Sequence, residues 1–192
     1  MSYSSCRSAW TQPGGNEAAL SLDRAFPDGL CEQFSLSDPP RTAIPDDELL
    51  ARVLTSSIDA DYSAKDILAA RLTSAYGRGF SVIRSGASDE DILGVIDKLL
   101  ASREGGLLIG AVVIPAAEIR SPHKEFCVYD TDGIDIALHG DVVGTFPADM
   151  TKSASEKLRT RRRHSLRDRM LPKIVLSSER RDLLNLLRIA GI

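Results

Sequence analysis

Three polar residues near the ends of predicted strands could carry out chemistry: Arg84, His139 and Asp141. His139 and Asp141 are two residues apart in "ALHGDVVG", so a strand would present both on one face. An imidazole beside a carboxylate can transfer protons near neutral pH. The guanidinium at the end of "FSVIR" could hold a phosphate. Together they indicate the catalytic residues of a metal-independent transferase acting on a phosphate-bearing nucleotide, of ADP-ribosyl- or phosphotransferase type.

Each of these residues also has a structural interpretation. His139 and Asp141 could be an ordinary pair on the solvent face of a strand, and Arg84 could form an internal ion pair. Arg52 and Arg120 are weaker candidates of the same kind as Arg84. If the fold has helices on both faces of the sheet, His139 becomes a buried, hydrogen-bonded residue of a second core.

Positive charge is concentrated in one predicted helix, at about residues 151–170. Nine basic residues lie between Lys152 and Lys173, opposed only by Glu156 and Asp168, whereas the whole chain has a net charge of −3. Arginine matches phosphate geometry, so such a helix can bind the nucleic-acid backbone. An acidic protein partner, or the protein's own acidic surface, are the alternatives. The candidate binding residues are Lys157, Arg159, Arg161, Arg162, Arg163, Arg167 and Arg169.

Several common site signatures are absent from the sequence. It contains no GxGxxG after a strand, no GxxxxGK[ST], no HExxH and no GxSxG. The histidines are scattered, so we expect no metal site and no cofactor. The three cysteines, Cys6, Cys31 and Cys127, are odd in number and form no CxxC pair, which predicts reduced structural thiols and no disulfide framework.

The remaining composition is that of an ordinary globular domain, with 192 residues and 43% hydrophobic residues. The N-terminus does not resemble a signal peptide. The longest apolar run, Leu107 to Ile114, is far shorter than a membrane span. These features predict a cytoplasmic protein that does not contact membranes; they leave the oligomeric state open.

Periodicity and turn residues predict an α+β (or mixed α/β) fold with a central sheet of about four to five strands. Residues 1–43 are predicted to be an irregular arm with one short helix near Asn16 to Arg24, and residues 44–192 a single domain. Part of the arm could pack onto the domain through Trp10, Phe26 and Phe34. "PDDELLARVLTSS" is predicted to be a helix because acids precede an apolar face. A helix capped by Ser63, a strand at 80–84, a helix beginning after Ser88 and a strand at 107–114 follow. Strands at 125–130 and 134–143, joined by a turn at "DTDG", precede the basic helix, a short strand "KIVL" and a last helix.

Two stretches resemble a loose group of small uncharacterised prokaryotic proteins. Those proteins have an "SVxR"-like strand, matched here by Ser81, Val82 and Arg84. Their later "AHAxVxG"-like stretch is similar to "ALHGDVVG", with Leu138 inserted and Gly140 where the group tends to have Ala. The matching residues are Ala137, His139, Val142 and Gly144, followed by Lys152 and Ser153. The resemblance implies no particular reaction, but it directs attention to Arg84 and His139.

Three hypotheses for the function follow. The first is an accessory or regulatory module that binds nucleic acid or a partner protein through the basic helix. The second is the transferase described above, and the third is a subunit of a larger assembly that docks through its arm. A cleft shared by Arg84 and His139 would favour the enzyme, whereas a flat basic face would favour binding.

Overall fold

The protein is built on one antiparallel sheet, as seen in a computed structural model that describes residues 1–11, 17–56, 63–77, 79–101, 106–120, 125–131, 138–145 and 152–192. Within these residues the sheet has six strands in the order β4-β5-β2-β1-β3-β6. The α+β prediction is therefore confirmed, with six strands rather than four or five. The strands are β1 (Leu49–Ser56), β2 (Phe80–Arg84), β3 (Leu107–Pro115), β4 (Phe126–Thr131), β5 (His139–Gly144) and β6 (Ile174–Leu176).

Helices cover both faces of the sheet. Leu68 of α3 and Leu166 and Met170 of α6 pack on one face, in the same cluster as Leu50, Phe80 and Val142. On the other face, α4 and α7 pack against Ala51 and Ile83, and the N-terminal segment packs against β4 and β5. The helices are α1 (Tyr3–Thr11), α2 (Ala18–Ala25), α3 (Ala64–Arg71), α4 (Asp89–Ala101), α5 (Ala116–Arg120), α6 (Lys152–Met170) and α7 (Arg180–Ile189). None of the helices in the described part of the chain is both long enough and apolar enough to cross a bilayer.

Several start signals in the sequence work as predicted. The Ser63 hydroxyl accepts a hydrogen bond from the backbone N–H of Asp66, at 3.3 Å, and α3 begins at the next residue. Ser88 accepts from the N–H of Asp91 at 3.1 Å and precedes α4. The strand predictions for Phe80–Arg84 and Leu107–Ile114 are confirmed.

The predicted helix at "PDDELLARVLTSS" is wrong, because residues Leu49–Ser56 form strand β1. The apolar residues of this segment fit the spacing of a helix as well as that of a strand. A strand that is buried on both faces shows no alternation of apolar and polar residues. Leu50 packs on one face of the sheet and Ala51 on the other. The acids that suggested a helix start have other partners: Glu48 pairs with Arg84 and Asp46 with Arg120.

The N-terminal arm contains the predicted short helix, which is α2, and also helix α1, which was not predicted. A disulfide joins Cys6 to Cys31, which corrects the expectation of reduced cysteines; Cys127 is free and buried. Around the disulfide, Leu22 and Leu36 pack against Cys127, Tyr129 and Val143 of the sheet. The arm thus supplies a third hydrophobic cluster, while the domain boundary near residue 43 stays a prediction.

Strand β5 begins at His139, so the earlier half of the predicted strand and the "DTDG" turn after Asp130 fall largely outside the described residues. Val142 faces the cluster beneath α6. Leu138, which directly precedes the strand, packs in the cluster beneath α4 and α7.

Candidate functional site

Arg84 lies in a buried ionic network, which comprises Arg41, Glu48, Arg84 and Asp130. Its Nε and Nη2 donate to the two carboxylate oxygens of Glu48, each at 2.8 Å. Its Nη1 donates to Asp130 Oδ1 at 2.7 Å and to the Thr42 carbonyl at 3.0 Å. Only 8% of the Arg84 side chain is exposed. The guanidinium is fully engaged by the protein, which matches the structural interpretation of this arginine.

Asp130 connects this network to the N-terminal arm. Its carboxylate is fully buried and accepts from Ser35 Oγ and from Arg41 Nε, the latter at 3.2 Å. Burial alone would raise the pKa of Asp130, but the hydrogen bonds from Ser35, Arg84 and Arg41 lower it below its usual value. Asp130 is therefore a buried anion that holds residues 35–41 against strand β4.

His139 belongs to a second network, formed with Thr131, Asp141 and Ser81. Thr131 Oγ1 lies 2.8 Å from His139 Nδ1 and donates to Asp141 Oδ2 at 2.9 Å. Since the hydroxyl has one proton, its oxygen must accept from Nδ1–H, which makes Nδ1 the protonated nitrogen of neutral His139. Ser81, opposite Asp141 in the sheet, also bonds its carboxylate.

Burial dominates the titration of this pair. It lowers the pKa of His139, against the raising effect of Asp141, and it raises the pKa of Asp141, against the lowering effects of His139 and Thr131. The side chains of His139 and Asp141 are 14% and 7% exposed. This corresponds to the second-core interpretation of His139, not to a solvent-facing pair.

The side chains of Arg84 and His139 project from opposite faces of the sheet. Ile83 is directly opposite His139 in the β2–β5 ladder, and the Arg84 N–H donates to the Leu138 carbonyl. Ile83 packs beneath α4 and α7, so Arg84, the next residue, points to the other side. Arg84 and His139 lie close to each other across the β2–β5 ladder, but their side chains are on opposite faces and do not converge on one substrate position.

The weaker arginine candidates are also occupied. Arg52 donates from Nη1 to the Ser81 carbonyl at 2.7 Å and stacks on the Phe80 ring, 5.0 Å from its centroid. Arg120 donates to Glu32 at 2.5 Å and to Asp46 at 2.7 Å. Arg120 lines a cavity of about 780 Å³, which is also lined by Asp28 and Leu30.

The basic helix α6 has an inner face that docks on the protein. Arg162 donates to the Thr145 carbonyl at 2.6 Å and lies 3.6 Å from a Glu125 carboxylate oxygen. Arg169 donates to the Glu118 carbonyl at 2.5 Å, and Arg159 stacks on Tyr76, 5.7 Å from the ring centroid. Arg159, Arg162 and Arg169 therefore bind the protein's own surface.

Arg163 and Arg167 pair with acids of α6 itself. Arg163 lies 3.3 Å from Glu156, and Arg167 is 2.7 Å from Asp168. The side chains of Glu156 and Asp168 are each 60% exposed, so these ion pairs are weak and either arginine can leave its acid for another anion.

The exposed residues of α6 include the acids Glu156 and Asp168 and three basic residues that we call its outer face: Lys157, Arg161 and His164. They line a shallow groove of about 400 Å³ together with Glu156 and Thr160. Within the part of the chain that the structure describes, Lys157 and Arg161 have no ion-pair or hydrogen-bond partner. The seven predicted binding residues thus divide into docking, paired and unpaired groups.

Most of the residues that hold Arg84 and His139 in place could not be predicted from the sequence. Glu48 was assigned to a helix start, whereas Ser35, Arg41 and Thr131 were not singled out. The one available signal was Asp130 at the end of a buried strand. Its Ser35, Arg41 and Arg84 partners are 95, 89 and 46 residues away in sequence, so no local pattern connects them.

The geometry defines an α+β protein with one six-stranded antiparallel sheet, two buried polar networks and one basic outer helix face. No protein-family model, no curated protein and no solved structure matches the chain. The resemblance to small prokaryotic proteins therefore stays a prediction.

Proposed function

We propose that this protein is a cytoplasmic accessory or regulatory module that binds nucleic acid through the outer face of α6. The observation that carries the proposal is the exposure of Lys157 and Arg161, one helical turn apart and without intramolecular partners among the described residues. Unpaired cations at this spacing can contact successive phosphates without first breaking an internal ion pair. His164 extends the same ridge by nearly one further turn.

The inner face of α6 supports the proposal in a second way. Contacts of Arg162 with Thr145 and of Arg169 with Glu118 fix the helix on the sheet. A basic ridge held in one orientation loses little conformational entropy on binding. The exchangeable pairs of Arg163 and Arg167 add charge on the flank of the ridge.

The transferase alternative has less support. It needs Arg84 to hold a phosphate, but all three guanidinium nitrogens already donate to Glu48, Asp130 or Thr42. The third hypothesis, a subunit docking through its arm, is disfavoured because the arm is engaged in the protein's own third cluster.

Titration of fluorescent DNA and RNA, single- and double-stranded, tests the proposal at several salt concentrations. We expect binding whose affinity falls steeply between about 50 and 200 mM salt. The double variant Lys157→Gln/Arg161→Gln should reduce the slope of log K against log salt by about 1 to 2. Equal slopes for the variant and the wild type would contradict the proposal.

Arg180→Gln/Arg181→Gln is the matched control. It removes the same charge from α7, on the opposite face of the sheet, where both arginines are exposed. It should leave the salt slope unchanged if α6 is the binding face. Absence of salt-sensitive binding by the wild type would reject nucleic acid and leave an acidic protein partner as the ligand class for this face.

A further inference from the structure

All three cysteines of the chain meet in the cluster that joins the arm to the sheet. Cys6 of α1 and Cys31 form the disulfide, and Cys127 of β4 lies in the same hydrophobic cluster with its thiol free. Each of the three is 0% exposed. The disulfide closes a separation of 25 residues and connects α1 covalently to the segment that lies over Cys127.

The other contacts of α1 are only partly buried: it packs beside α2, and its Ala9 and Trp10 lie against the same cluster. Cys6 is the one fully buried residue of this nine-residue helix. Its polar links to the rest of the arm include those of Tyr3 to the Ser37 carbonyl and of Arg7 to the Leu36 carbonyl, together with an ion pair from Arg7 to the exposed Asp38. A helix this short is marginal in isolation, so its position depends strongly on the disulfide.

The segment over Cys127 seals its thiol. A Cβ on Gly29 would overlap the Cys127 sulfur, so the backbone at Gly29 lies directly against it. Gly29 is two residues before Cys31, and therefore the disulfide anchors the backbone that covers the thiol. Burial, and to a smaller extent the nearby Glu32 carboxylate, raises the pKa of Cys127 well above its ordinary value. The covered thiol is therefore unreactive.

We propose that the Cys6–Cys31 disulfide is a redox latch that conceals Cys127 as a reactive thiol. A dithiol reductant transfers two electrons and two protons to the Cys6 and Cys31 sulfurs, so that the S–S bond breaks, two thiols form and the reductant closes to its own disulfide. Helix α1 then detaches, the backbone around Gly29 loosens, and Cys127 becomes accessible to thiol-modifying electrophiles. In a reducing compartment, disulfides of this kind are mainly transient and redox-sensing.

Alkylation by N-ethylmaleimide, located by peptide mass spectrometry, tests the latch in the native protein. Cys127 should be labelled at least about tenfold faster after reduction by dithiothreitol than before it. Hydrogen exchange should accelerate in residues 3–11 and stay unchanged in β1 and β3. An unchanged labelling rate of Cys127, or a loss of protection that includes β1 and β3, would overturn the proposal.

Two variants control the experiment. Cys6→Ala/Cys31→Ala has no latch, so its Cys127 should react at the fast rate with or without dithiothreitol. Cys127→Ser should still show reduction-dependent exchange in residues 3–11, because opening does not need the concealed thiol. If the double variant does not fold, the comparison of oxidised and reduced wild type decides alone; a slow rate in a folded double variant would refute the latch.

Discussion

At the scale of single residues, Arg84 shows how a cation at a strand end is used by the fold itself. Its guanidinium contacts four acceptor atoms, on Glu48, Asp130 and Thr42. The sequence predicted an arginine that meets a carboxylate or an anion, and this much follows from a charged residue beside a buried strand. The identity of the carboxylates did not follow, because they lie 36 and 46 residues away.

Replacement of Arg84 by Met should strongly destabilise the fold. It leaves the buried carboxylates of Glu48 and Asp130 without their shared cation, and breaking one partner out of a buried pair costs about 3 to 5 kcal/mol. Urea unfolding measures the loss. Arg180→Met is the control, since its pair with Asp97 is more than half exposed and should contribute less than about 1 kcal/mol.

His139 should make stability depend on pH in mildly acidic solution. Because its pKa is lowered in the folded protein, the unfolded chain binds the proton first, and stability falls as pH decreases below about 6.5. His139→Asn should remove up to about 1.4 kcal/mol per pH unit of this dependence. Urea unfolding at a series of pH values, with His164→Asn on the exposed face of α6 as control, measures it; equal slopes for His139→Asn and the wild type would contradict the assignment.

At the scale of elements, α6 was predicted as a helix but not as a helix with two roles. Its arginines surround the helix, so the pattern cannot say which of them point inward. Their directions depend on Glu125, Glu118 and Tyr76, which come from distant parts of the chain. Strand β1 was predicted as a helix for a related reason. Its apolar residues fit both the helical and the strand spacing, and it forms a strand because it lies at the centre of the sheet.

Truncation of two neighbouring arginines of α6 to alanine should therefore change the free energy of unfolding by different amounts. Arg162→Ala leaves the largely buried Glu125 carboxylate without its cation and should cost about 3 kcal/mol. Arg161→Ala removes an exposed, unpaired cation and should change stability by less than about 0.5 kcal/mol. Thermal and urea unfolding of the two single variants provide the comparison, and equal losses would contradict the two-faced description of the helix.

At the scale of the whole molecule, the arm completes the sheet. The outer edge of β4 is covered by it, because the Val128 N–H donates to Glu32 at 2.7 Å and the Asp130 carbonyl accepts from the Leu36 N–H at 2.7 Å. All six residues of β4 are buried, with Cys127 and Tyr129 beneath the arm and Phe126 and Val128 in the cluster on the other face. The packing of the arm through Trp10, Phe26 and Phe34 could be predicted from the sequence, because these are its large apolar residues. Helix α1 and the disulfide could not, since the Ser-, Pro- and Gly-rich stretch carries little periodicity and the wide cysteine spacing has no signature.

A chain that begins at residue 44 should not form the native sheet. Without the arm, Cys127, Tyr129 and Val143 lose their cover and Asp130 loses Ser35 and Arg41. We expect binding of a hydrophobic dye and loss of cooperative urea unfolding. Deletion of residues 1–2 alone, which are exposed, is the control. Native-like cooperative unfolding of the 44–192 chain would show that the arm is an accessory to a self-sufficient domain.

The contacts of Asp130 have a consequence for the order in which the protein can assemble during synthesis. Residues 35–41 leave the ribosome before their carboxylate partner, which follows 95 residues after Ser35 and 89 after Arg41. At about 5 to 20 residues per second, that interval is several seconds to some twenty seconds. During this interval strand β4 has not yet been synthesised, so Leu22 and Leu36 cannot pack against it. The nascent chain therefore carries an exposed apolar surface that a ribosome-associated chaperone can bind.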